Sequence, residues 1–284
     1  MPDVRSPNLR RRELGGRLRA LRLEKGLTVE QVADMLLCSP SKVSRMETGQ
    51  RGATPRDVRD LSGIYGVTDE ARVAHMMQLA REGKQQGWWQ SFSVPLKYTN
   101  YVGFEQEATS LSSYHSSVVP GLVQTADYTR AVHRNAIPRL DDPVIEERVE
   151  ERRTRQKILN GENPPQLEFV IDEAVMHRPV GGPAAMREQL NRLIEEGERP
   201  AVTLRVLPYD VGAHPALESN FTILEFAGQA PVIYVESLAG HLYLERQDEL
   251  EQYSHVLERL RSLALSPQDS ARLVAKIRDA YTTE

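Results

Sequence analysis

The chain has very little of several things, and each scarcity removes a class of function. Its 284 residues hold one cysteine, Cys38. One thiol forms no internal disulfide and builds no cysteine-based zinc site within a single chain. No apolar run approaches the roughly 20 residues that span a bilayer, and the opening M-P-D-V-R-S-P lacks the apolar core of a signal peptide. A cytoplasmic protein with no membrane partner is therefore expected. Neither a G-x-S-x-G elbow nor a P-loop, an H-E-x-x-H pair or a dinucleotide fingerprint occurs. His177, His214 and His241, taken with Asp172, Glu173 and Glu236, match no metal-ligand spacing. No cofactor, no metal and no enzyme activity are expected.

What is present suits two globular domains: 40% hydrophobic and 27% charged residues give each a core and a solvated surface. The net charge of −4 argues against nucleic acid until its distribution is followed. Residues 1–84 carry 16 Lys and Arg against 11 Asp and Glu, a net of +5, which leaves −9 for the rest. Arg5, Arg10, Arg11, Arg12, Arg17, Arg19, Arg22 and Lys25 stand almost unopposed near the start, where a domain that displaces counterions from phosphates would place them.

The stretch Leu27 to Gly49, L-T-V-E-Q-V-A-D-M-L-L-C-S-P-S-K-V-S-R-M-E-T-G, reads as two short helices and a tight turn. Thr28 caps the first, whose apolar stripe is Val29, Val32, Ala33 and Leu36. Leu37 and Cys38 make the turn. Ser39 caps the second, Pro40 fills its first position and Gly49 ends it. Inside it only Val43 and Met46 are apolar, so Ser41, Lys42, Ser44 and Arg45 face outward: a small, basic, hydrogen-bonding surface sized for the major groove.

Further helices are predicted at Leu14–Lys25, from Thr54-Pro55 with Val58, Leu61 and Ile64 inward, and over Asp69–Glu82 behind a Thr68 cap. Gly63 reads as a close helix contact or a frayed end. The stretch from Leu14 to about Val67 closely resembles the helix-turn-helix of the Cro/cI-like, xenobiotic-response-element regulators, whose pattern runs L-T-Q-x-x-L-A through S-x-x-x-I-S-R-x-E-x-G. The resemblance implies an all-α five-helix DNA-binding domain over residues 1–82. It implies that Arg22 and Glu47 form a buried ion pair. It also implies that Gln50 and Arg51 lie along the phosphates of a double-stranded operator. Where the family usually has a phosphate-binding Gln, this chain has Val29. On this reading Ser41, Lys42 and Arg45 reach base edges, Ser44 reaches a base or the backbone, and Arg17, Arg19, Gln50 and Arg51 hold phosphates. A homodimer on an inverted repeat is the expected arrangement.

Residues 83–97, with G-K-Q-Q-G-W-W-Q, read as a linker. From residue 98 to 284 the texture changes. Tyr101–Tyr114 reads as a helix, and so does Val144–Leu159, with E-E-R-R-T-R-Q-K as a solvated face. L-E-F-V-I-D, V-T-L-R-V-L-P, F-T-I-L-E-F and V-I-Y-V-E-S read as strands, and further helices are expected at Met186–Glu196, Asp248–Leu263 and Pro267–Tyr281. The expected fold is an α+β domain around a mixed sheet of about four or five strands. Its phrases V-P-G-L-V-Q-T-A-D-Y, E-E-R-V-E-E-R-R-T-R-Q, R-P-V-G-G-P and L-P-Y-D-V-G-A-H-P resemble the C-terminal domain, of uncharacterised function, of large actinobacterial regulators of the same class. Members of that group are often encoded beside a small protein of unknown function. Three readings stay open for this half. It senses a small-molecule effector or dimerises, it docks a small partner protein in an antitoxin-like repressor, or, remotely, it is an enzyme with a DNA-binding appendix.

Overall fold

The computed structural model describes residues 7–85, 87–92, 96–135, 139–237 and 240–281; Arg5 lies outside them. The chain divides into two compact units, residues 1–90 and 91–284.

Unit 1 holds α1 (Pro7–Glu24), α2 (Val29–Met35), α3 (Pro40–Glu47), α4 (Pro55–Tyr65) and α5 (Glu70–Glu82). Helix α1 begins well before the expected Leu14. Arginine is a good helix former, and Leu9 adds a buried apolar position one turn up. The basic run is also less unopposed than its composition suggested: Arg10 Nε lies 2.8 Å from Glu82 Oε2, and Arg11 Nε donates to Gly83 O at 2.7 Å. Leu14, Leu18 and Leu21 meet Val32, Val43, Met46, Val58, Leu61 and Met76 in one core, with Val29 half-buried at its margin. Asp69, not Thr68, caps α5, accepting from the N–H of Ala71 and Arg72. A Cβ at Gly63 would meet only open space, and α4 ends at Gly66, φ +69°. The glycine at a close helix approach is Gly15. A Cβ there would lie 2.5 Å from the carbonyl oxygens of both Met46 and Glu47, so α1 crosses the end of α3 at a distance only glycine allows.

Unit 2 is built from α6 (Leu96–Glu105), β1 (Ser110–His115), α7 (Ala126–Arg134), α8 (Asp142–Gln156), β2 (Gln166–Asp172), α9 (Ala174–His177), α10 (Pro183–Gly197), β3 (Val202–Leu207), β4 (Phe221–Phe226), β5 (Gln229–Ser237), β6 (Gly240–Leu244), α11 (Gln247–Leu263) and α12 (Pro267–Ala280). Its mixed sheet has six strands in the order β3-β2-β1-β4-β5-β6. The first three pair in parallel and the others antiparallel. The expected helix Tyr101–Tyr114 splits into α6 and β1. Past Glu105 the pattern changes period, and Leu111 and Ser113 turn to one face of the sheet.

Side-chain alternation sorts the two faces. Tyr114, Val170, Ile223, Ile233 and Val235 pack with Leu250, Leu257 and Leu260 of α11. His115, Thr222 and Tyr234 are one residue out of step with these neighbours and therefore point to the opposite face.

Candidate nucleic-acid interface and ligand cavity

Helix α3 is defined at both ends by its own side chains. Ser39 Oγ accepts from Lys42 N at 3.3 Å, Pro40 occupies the first turn, and Thr48 Oγ1 donates to Ser44 O at 3.1 Å. Val43 and Met46, each 1% exposed, seat it on the core, while Ser41, Ser44 and Arg45 are exposed. Arg45 Nε donates to Ser41 O at 3.1 Å, which lays the guanidinium along the outer face. Helix α2 carries the matching capping box between Thr28 and Gln31. The turn between the two helices passes through Leu37 at φ +51°, the one described non-glycine residue in the left-handed region, and its side chain is 94% exposed.

Lys42 differs from its neighbours. Its ammonium donates to Asp57 Oδ1 at 2.7 Å, and Asp57 also closes the capping box of α4 with Thr54. Burial raises the Asp57 carboxyl, but Lys42 and Thr54 outweigh it and hold the group below the usual carboxylate range. Of the residues expected at base edges, Lys42 already has an anionic partner within unit 1. The sequence does contain the signal: Thr54-Pro-Arg-Asp57 is a cap sequence one helix away.

Arg22 Nε and Nη2 donate to the two oxygens of Glu47 at 2.6 and 2.9 Å, with both side chains buried. The hydrogen bonds that Glu47 accepts hold the guanidinium above its ordinary value in spite of burial. Arg17 is exposed and pairs with Glu13 at 3.0 Å. Arg19, Gln50 and Arg51 are exposed, and the loop that carries the last two is fixed by Arg51 N donating to Arg45 O at 2.9 Å. Ser41, Ser44, Arg45, Gln50 and Arg51 therefore stand on α3 and the loop that follows it.

Unit 2 contains a cavity of about 630 Å³ between α8 and the sheet face that carries His115, Thr222 and Tyr234. Here the expected solvated face of α8 is corrected. Glu151 and Arg155 are 1% and 3% exposed, because the pairing of Arg155 with Glu105 offsets the cost of burying this face. Arg155 is clamped by Glu105, Nε to Oε1 at 2.7 Å and Nη2 to Oε2 at 2.6 Å, and it also donates to the Tyr98 hydroxyl. Arg152 Nη1 donates to Gln124 Oε1 at 2.7 Å, and a Cβ on Gly121 would lie 2.6 Å from that nitrogen. Gln156 Nε2 donates to Gln124 O at 2.7 Å. The phrases V-P-G-L-V-Q and E-R-R-T-R-Q thus meet at the cavity wall, a pairing that spacing alone does not reveal. Among the described residues no group of three or more His, Cys, Asp or Glu is placed to hold a metal. His214 turns to Tyr114 and Asp172, His177 to Glu173, and His241 to the Tyr234 hydroxyl.

Five helices with a capped α2–turn–α3 pair define a helix-turn-helix DNA-binding protein of the Cro/cI, xenobiotic-response-element type, and residues 13–76 match the family described as Helix-turn-helix domain. Residues 98–276 match the family described as Domain of unknown function (DUF5753), and the chain belongs to it. No curated protein and no solved structure matches the chain. The helix-turn-helix implies DNA binding and with it transcriptional regulation, in a class of regulators that are usually not enzymes. No described helix is long and apolar enough to cross a membrane.

Proposed function

We propose that the protein is a sequence-specific transcriptional regulator whose residues 1–82 read an operator and whose residues 98–284 sense a small molecule, with residues 83–97 as the connection. The observation that carries the DNA half is α3 itself: Val43 and Met46 fix its inner side while Ser41, Ser44 and Arg45 stand exposed on the outer one. These three address base edges. Arg17, Arg19, Gln50 and Arg51 address phosphates, and Lys42 joins the interface only by exchanging Asp57 for DNA. A monomer of this size covers few base pairs, so the working form is a homodimer on two half-sites about one helical turn apart.

The test uses DNA selected in vitro by the intact protein from a random library. Arg45→Ala lowers affinity for the selected site by about 1–3 kcal/mol and relaxes its base preference. Arg51→Ala weakens selected and unrelated DNA alike and flattens the dependence of log K on log salt by about 0.9. If the two variants behave identically in gel-shift titrations, the assignment fails. The sensing half is supported by the cavity of unit 2, whose volume lies within the range of small-molecule sites.

A further inference from the structure

Arg148, Glu151, Arg152 and Arg155 stand at i, i+3, i+4 and i+7 on α8, the spacing of one helical side, and all four line the cavity. Their hydrogen bonding is incomplete. Arg155 is satisfied by Glu105 and Tyr98. Arg148 Nη1, Arg152 Nε and Glu151 Oε1 are buried with no hydrogen-bond partner among the described residues. The nearest cation to Glu151 is Arg155 Nε, 3.9 Å from Oε1. Buried polar atoms are normally paired, and leaving them bare is costly, most of all for charged groups. Two bare donors one turn apart and one bare acceptor between them are what a molecule in the cavity would satisfy.

Part of the lining is aromatic. The Tyr101 and Tyr234 rings lie 4.2 Å apart, and Tyr234 stacks on His241 at 5.7 Å and 14° between planes. This suits a flat apolar body. Two of the histidines in the lining supply no charge. Burial pushes His115 down to about 4, and burial with the charges of Arg152 and Arg148 does the same to His133, so both are neutral near pH 7.

We propose that this cavity binds a small aromatic carboxylic acid, its carboxylate between Arg148 and Arg152, its ring against Tyr101 and Tyr234, and a hydroxyl or amine hydrogen donated to Glu151. The assignment deepens the sensing reading and rests on it for its biological meaning, although binding is measurable without it.

The test is titration calorimetry of the full chain with salicylate, 4-aminobenzoate, 4-hydroxyphenylacetate and indole-3-acetate, each paired with its primary amide. At least one acid binds with a dissociation constant on the order of 1 mM or tighter, and its amide binds at least tenfold more weakly. Arg148→Gln reduces binding of that acid about tenfold or more. Its Nη1 has no partner to lose among the described residues, so the thermal melt stays in place. Gly121→Ala, which drives a Cβ into Arg152, is the second variant and reduces binding as well. Absence of binding by all four acids overturns the proposal, as do equal binding of acid and amide or wild-type affinity in Arg148→Gln. The sensing reading is scored separately, by repeating the DNA titration with the probe present. An acid that binds through Arg148 and leaves DNA affinity unchanged keeps the site and removes the sensor. A neutral aromatic that binds and shifts DNA affinity does the reverse.

Discussion

Arg22 of α1 and Glu47 of α3, 25 residues apart in the chain, face each other through two parallel hydrogen bonds of 2.6 and 2.9 Å in the interior of unit 1. A third bond from Arg22, Nη1 to Leu27 O at 2.8 Å, ties in the segment leading to α2. One guanidinium therefore fixes both helices of the motif relative to α1.

Removing one partner strands the other. Arg22→Ala or Glu47→Ala destabilises unit 1 by about 3–5 kcal/mol, whereas the double change Arg22→Met with Glu47→Leu costs far less because no charge stays buried alone. Hydrogen exchange of amides in residues 7–85 during urea titration of the intact protein reads both. Equal losses in the single and double variants would count against a buried pair.

Two adjacent glycines of α1 give opposite results. A Cβ at Gly16 meets nothing within 4 Å, so Gly16→Ala stabilises by about 0.5–1 kcal/mol through helix propensity. At Gly15 the same change runs into two α3 carbonyls and costs about 1–3 kcal/mol despite the better propensity. A melting comparison in which both shift the same way contradicts the close crossing of α1 and α3.

The left-handed turn residue Leu37 is strained and packs against little. Leu37→Gly raises stability by about 1 kcal/mol, since the steric cost of a side chain at positive φ disappears and no burial is lost. An unchanged or lower melting temperature would mean that the leucine side chain makes a contact of its own.

Asp57→Asn frees Lys42 and weakens the cap of α4, costing about 0.5–1 kcal/mol. The pH dependence follows from the depressed carboxyl. Because its folded pKa lies below the unfolded value, its contribution is full above about pH 4 and fades as the pH falls through the lower folded value. The stability gap between wild type and variant is therefore flat from pH 5 to 8 and closes in more acidic buffer. The variant also binds nonspecific DNA more tightly, with a salt slope steeper by about 0.9, because one more cation is free to meet phosphate. An unchanged slope would show that Lys42 does not reach DNA.

Unit 1 was largely legible because what defines it is local. Thr28, Ser39 and Pro40 announce their helix starts within four residues, and Val43 with Met46 sets the buried side of α3. What escaped lies in partners distant in sequence. Gly15 becomes special only through the carbonyls of Met46 and Glu47, and Lys42 is occupied by a carboxylate from the next helix. The charged face of α8 looked solvated because a stripe of i,i+4 charges has the same pattern in water and in a cavity; Glu105, which decides the matter for Arg155, comes 50 positions earlier. Likewise β1 sits in a sheet whose order no local pattern encodes.

That order has a consequence for synthesis. β1 lies between β2 and β4, and Ser110 meets its cross-strand neighbour Glu225 at a separation of 115 positions. The sheet therefore stays open until most of the chain has left the ribosome, whereas the helices of unit 1, made first and joined by short-range contacts, can close early. For part of every translation cycle a DNA-binding head exists without a folded C-terminal half.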